Sequence, residues 1–148
     1  MIPPSDIIYQ WLLSEGLVTS PEDSAPVWPC YVSSLPEDDN TPTDAVCVYD
    51  TTPALDGKLQ GTAEQIVHYG IQIKVRSLNY ADGWSKSDSL AKALDAVKRE
   101  TVQIESGVAY VLVAATRISG PLSIGTDTAS AKLSRQFTIN FTITVSTP

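Results

Sequence analysis

The chain has 148 residues, 43% hydrophobic and 18% charged, with a net charge of −7. That length can bury a real core without disulfide or metal staples, and the composition is that of an ordinary globular protein, expected to form one domain over residues 1–148. No apolar run is long enough to span a bilayer, Met1-Ile2-Pro3-Pro4-Ser5-Asp6 is no secretion signal, and the acidic surplus argues against a continuous nucleic-acid-binding face.

Ser5 and Asp6 precede Ile7, Ile8, Trp11 and Leu12, whose spacing predicts one apolar face of a short first helix. Ser5 or Asp6 can cap its start, and Gly16 can end it. Trp28 to Ser34 reads as a strand, with Pro29 confining it to an edge or a strand start. The stretch from Leu35 to Asp44 is an acidic turn or loop, and Ala45 to Asp50 a short apolar strand. Residues 51–65 contain Pro53, Gly57 and Gly61 without periodicity and are expected to form a long loop.

The clearest pattern follows. Val67, Tyr69, Ile71, Ile73 and Val75 alternate with His68, Gly70, Gln72, Lys74 and Arg76, the period of a half-buried strand. Beyond Tyr80 the period changes, and Trp84, Leu90, Ala91, Leu94 and Val97 recur at helical spacing. Asp88 with Lys92 and Asp95 with Arg99 are spaced for exposed i, i+4 pairs.

Val108 to Ile118 is apolar at both parities, which predicts a central strand covered on both sides. Residues 119–134, with Gly120-Pro121, Gly125 and many small polar residues, read as a second long loop. The closing strand alternates cleanly, with Phe137, Ile139, Phe141, Ile143 and Val145 inward. The expected fold is α+β: one mixed, mostly antiparallel sheet carrying two main helices, in the order α-β-β-β-α-β-β.

Chemistry is sparse. His68 is the single histidine, so any catalytic triad or histidine metal site would need it. On the polar side of a strand it reads as a plain polar residue. Asp38, Asp39, Asn40 and Asp44 could surround a calcium ion, but Pro42 interrupts the run and a solvated turn is the better reading. Gly120 and Gly125 lack the Gly-Lys-Ser/Thr ending of a phosphate-cradling loop. Cys30 and Cys47 lack CxxC spacing and read as small buried hydrophobes in a reducing cytoplasm. Trp84 reads as a core staple before it reads as an interface anchor.

Charge is lopsided. Residues 1–65 hold eleven of the seventeen acids and one base, Lys58, whereas the remaining nine bases follow residue 65. That pattern suits subunits meeting acidic face to basic face, and equally a solvated acidic half with no partner.

The run Ile71-Gln72-Ile73-Lys74-Val75-Arg76-Ser77-Leu78-Asn79-Tyr80-Ala81-Asp82-Gly83-Trp84 resembles a pattern in tail-completion proteins of long-tailed bacteriophages, called tail terminator or minor capsid proteins. There, a strand ending in Val-Arg leads through a Tyr-Ala step into a helix. Val48-Tyr49-Asp50-Thr51-Thr52-Pro53, the Gly125 to Asp127 loop and Phe137-Thr138-Ile139-Asn140-Phe141 fit the same resemblance, which spans most of residues 45–145.

The resemblance implies a structural virion protein without catalysis, cofactor or metal. Such proteins form a hexameric ring that caps the tail tube, stops its polymerisation and meets the head connector or stopper protein. It implies a place at the head–tail junction after assembly in the host cytoplasm. DNA passes through the ring without specific binding, and no membrane is involved. Interface candidates are then Arg76 and Trp84, with Asp56, Lys58, Gln60 and Glu64 on the first long loop and Asp127 and Lys132 on the second. A head-completion protein of similar fold, a small-molecule-binding α+β domain and a carboxylate-based enzyme are the competing readings.

Overall fold

The computed structural model describes residues 2–38, 40–52, 65–127 and 134–147. In chain order these form α1 (Pro4–Ser14), β1 (Cys30–Val32), β2 (Ala45–Thr51), β3 (Gln65–Ser77), α2 (Tyr80–Asp95), β4 (Glu100–Gln103), β5 (Ala109–Asp127) and β6 (Ser134–Thr147). The six strands make one sheet in the order β1-β2-β3-β6-β5-β4. The β1–β2 pair is parallel and the other pairs are antiparallel, so the sheet is mixed.

The closing strand organises the core. In β6, Phe137, Ile139, Phe141, Ile143 and Val145 are all buried, as its alternation requires. They lie across from Val75, Ile73, Ile71, Tyr69 and Val67 of β3. Each such side chain contributes roughly 1.5–3 kcal/mol when fully buried. Ile7, Ile8, Trp11 and Leu12 of α1 and Leu90, Ala91 and Leu94 of α2 join the same cluster, so both helices cover one face of the sheet.

The first helix starts differently from expectation. Ser5 and Asp6 lie inside its first turn, Pro3 is the N-cap, and no side chain of the cap residue bonds the helix. The carboxylate of Asp50, at the end of β2, takes the Ser5 N–H at 2.8 Å and the Ser5 hydroxyl at 2.6 Å. A remote acid thus supplies what a local cap would, at the positive end of the helix dipole. Gly16 ends the helix as expected, at φ +69°. The Leu17 N–H reaches back to the Leu12 carbonyl and the Gly16 N–H to that of Leu13, a Schellman closure.

Four further expectations need correction. A strand, β4, follows α2, so the chain order gains an element; with Val102 alone buried among four residues, it shows no periodicity to detect. The strand expected over 28–34 is only Cys30–Val32, because Trp28 and Ser33 take positive φ and break the extended backbone on both sides. Residues 119–127, expected in a loop, continue β5 and pair with β6 out to Asp127 and Ser134. The Asp95–Arg99 pair does not form: α2 ends at Asp95, whose carboxylate binds Arg117 instead, while Asp88–Lys92 forms at 2.7 Å.

The double apolar character of Val108 to Ile118 also has a different cause from burial on two sides. A register irregularity between Leu112 and Ala114 shifts the inward parity, so Tyr110 and Leu112 face the helices first and Ala115 and Arg117 follow. Ile118 stays two-thirds exposed.

Candidate assembly surfaces

α2 positions the first surface. Asn79 caps it, accepting the Ala81 N–H at 2.8 Å and the Asp82 N–H at 3.4 Å. Gly83 and Ser87 then face the sheet. A β-carbon at Gly83 would sit 2.5 Å from a ring carbon of Phe137 and 2.9 Å from the Ser77 β-carbon, so glycine is what lets the helix approach. That approach turns Trp84 to the rim. It is 43% exposed, its ring edge-on to Phe137 at 6.2 Å, with Tyr80 tilted against the same ring at 5.2 Å. Trp84 therefore packs on the sheet from the rim and is not buried in the core as its spacing suggested; Gly83 and Ser87 hold the buried positions.

Arg76 is buried, and each of its three side-chain nitrogens donates inside the chain. Its Nε and two terminal nitrogens donate to the carbonyls of Thr43, Pro36 and Pro42 at 2.9, 2.9 and 3.0 Å. The planar fork of a guanidinium can serve three such acceptors at once. Arg76 pins the 36–43 segment onto the sheet. The acidic segment around it divides its carboxylates between separate tasks. Asp38 accepts from the Asn40 N–H and the Thr41 hydroxyl, whereas Asp44 accepts from the Ser77 hydroxyl and the Leu78 N–H. Asp39 lies outside the described residues, and among the described residues no group of three or more potential ligands could hold a metal ion.

Where this segment meets β1, two shallow open pockets share Trp28 and Asp44. One, of about 280 Å³, is lined by Pro26, Val27, Trp28, Pro42, Thr43, Asp44 and Leu78, with Val27 68% and Leu78 62% exposed. The other, of about 260 Å³, adds Asp82, Ser85, Lys86 and Ser89 of α2. The Lys86 ammonium donates to the Leu17 carbonyl and lies 5.7 Å from the centre of the Trp28 ring. Burial pulls its pKa down.

At the opposite edge, β4 pairs with β5 only over Ala109 to Leu112. Beyond Val113, whose carbonyl takes the Arg99 N–H, β5 has β6 alone as its strand partner among the described residues. Ile118, Leu122 and Ile124 are 66%, 57% and 49% exposed there. Gly120 sits at φ +95°, and a β-carbon would fall 2.4 Å from the Thr138 carbonyl oxygen. This glycine serves a bulge in a strand and not a loop or a phosphate cradle.

The other singled-out residues are dispersed. His68, half-buried on the sheet face away from the helices, has Nδ1 3.2 Å from the Thr144 hydroxyl. Cys30 and Cys47 are both buried and free, and burial raises both thiol pKa values above their ordinary range. Asp56, Lys58, Gln60, Glu64 and Lys132 lie outside the described residues, and Asp127 is described for its backbone only, as the last residue of β5. Reading by motif missed the exposed Val27, Leu78, Ile118, Leu122 and Ile124. The alternation Leu122-Ser123-Ile124 was the available signal for a strand there.

A family model for the bacteriophage tail terminator protein matches residues 11–147. The chain belongs to that family. It is a family of structural proteins of the phage tail. No curated protein and no solved structure matches the chain.

Proposed function

We propose that this terminator closes as a hexameric ring on the end of the tail tube, stops further tube subunits from adding, and offers its far side to the head connector or stopper protein. Membership of the tail terminator family over residues 11–147 carries this reading. Two unlike exposed patches, the Val27–Leu78 pocket and the outer edge of β5, support it, since ring closure needs a different patch on each flank of a subunit. DNA threads the lumen without specific binding, helped by the acidic surplus that repels phosphates. The chain acts as one domain, and its candidate contacts to tube and connector include Trp84 and the segments holding Asp56, Lys58, Gln60, Glu64, Asp127 and Lys132.

The test is tube growth in vitro. Purified protein added to polymerising tail-tube subunits should arrest elongation and leave a density cap at one tube end in negative-stain images. Tubes that grow on unchanged, with bare ends, would end this reading. Binding to filled heads instead of tube ends would turn it into head completion. Deleting residues 55–62 should leave a folded protein that no longer joins tails to heads, and infectious particles carrying the deletion would remove that segment from the contact.

A further inference from the structure

The ring reading leaves open which surfaces meet, and the register of the sheet relates two candidates. One row of paired residues runs Cys30–Val46–Val75–Phe137–Ser123, and the next runs Ala45–Arg76–Gln136–Gly125. The pocket lined by Val27, Trp28, Asp44 and Leu78 adjoins the first ends of these rows, and the bare half of β5 forms their other ends. The two patches thus lie at one level of the sheet on opposite edges, four strand spacings or about 19 Å apart. Two different patches on opposite edges make such a contact head-to-tail, the kind that forms a ring when the rotation between copies closes.

Their chemistry is complementary. The pocket is walled by Pro26, Val27, Trp28 and Leu78. Glu22, Asp23, Glu37 and Asp38 lie in the segments flanking it, and no lysine or arginine occurs between residues 17 and 44. The bare half of β5 carries three exposed apolar side chains in a strand whose outer edge lacks a strand partner among the described residues. Arg117 on the same stretch is taken by Asp95 of α2, and the positive charge beside it is Arg135, opposite Thr126. An unpaired strand edge with exposed apolar side chains is a ready template for another chain.

We propose that the outer half of β5 in one copy, through Ile118, Leu122 and Ile124, seats against the Pro26–Val27–Trp28–Leu78 pocket of the next copy, with the acidic segments around β1 facing Arg135 beside β5. The occupant is a second copy of this chain, and the contact is head-to-tail. It rests on the ring reading for its biological setting.

Full-length protein carrying photoreactive benzoylphenylalanine in place of Leu122 is irradiated in concentrated solution and on tube ends, and the adducts are mapped by mass spectrometry. Adducts should fall in residues 20–44 or 78–89 of a second copy. Leu122→Asp and Val27→Asp, each alone, should lose assembly. Mixed one to one they should recover a species of twice the monomer mass, because each retains the patch the other lacks, and a misfolded variant could not be rescued this way. Adducts confined to other segments, assembly of either single variant, or a mixture no heavier than its components would overturn the contact. Capping of tubes with adducts elsewhere would sink the interface and spare the terminator reading. Adducts at the pocket from a protein that ignores tube ends would do the reverse.

Discussion

The two halves of β5 are one strand with two physical roles. From Ala109 to Leu112 it pairs with β4, from Val111 on with β6, and Tyr110 and Leu112 are buried under the helices. From Ile118 to Ile124 it pairs, among the described residues, only with β6, and it turns apolar side chains to solvent. The same residue types serve the fold in the first half and a surface in the second. What separates them is cover, from β4 and the helices, together with the register irregularities that re-aim the side chains.

The hardest test of that contrast lies in β6, which serves both halves. Phe141 is buried across from Ile71 on one side and Arg117 on the other. Phe141→Ala should lose about 3–5 kcal/mol in denaturant unfolding. An unchanged midpoint would show that the helix-covered face is not the core.

A matched pair sharpens the comparison directly. Leu112→Ala, in the covered half, should cost about 2–5 kcal/mol, whereas Leu122→Ala, the same chemical change in the bare half, should stay within about 0.5 kcal/mol. Equal losses would mean that the bare half is covered in the monomer. Arg76→Ala should fall between, at about 2–3 kcal/mol, since it strands the carbonyls of Pro36, Pro42 and Thr43. Arg76→Lys should recover little, because an ammonium cannot present the same planar fork. Limited proteolysis should then cut within residues 36–43, and resistance there would refute the clamp.

These sites differ in how much the sequence disclosed. The inward row of β6 and the strand–helix run through Arg76 and Asn79 were legible because alternation and helical spacing are set by residues a few positions apart. β4 was hidden, since a four-residue edge strand with one buried side chain carries no period. The bare half of β5 was hidden by its glycines, which signal a loop but here serve a strand with an irregular register. Arg76 was legible as a candidate and not in its task, because its acceptors lie more than thirty residues earlier in the chain. The Asp50 cap on α1 is as remote, joining residues 45 apart in sequence.

That cap yields the smallest expected effect and a pH signature to find it by. Asp6 stands in the first turn of α1, where burial, and after it the nearby Asp50 carboxylate, raise its pKa above the ordinary 3.8. A raised carboxyl pKa means the folded chain holds that proton more tightly than the unfolded one. Ionised Asp6 therefore costs stability at pH 7, and the cost fades as pH falls through its folded pKa towards 3.8. Asp6→Asn should raise the melting temperature slightly at pH 7, and the gain should vanish near pH 3, where the native carboxyl is protonated as well. The favourable helix dipole works against the substitution and keeps the gain small. A loss at neutral pH would show that the dipole outweighs the repulsion from Asp50. A gain that persists unchanged at pH 3 would assign the effect to side-chain packing, leaving the two carboxylates at the start of α1 electrostatically independent.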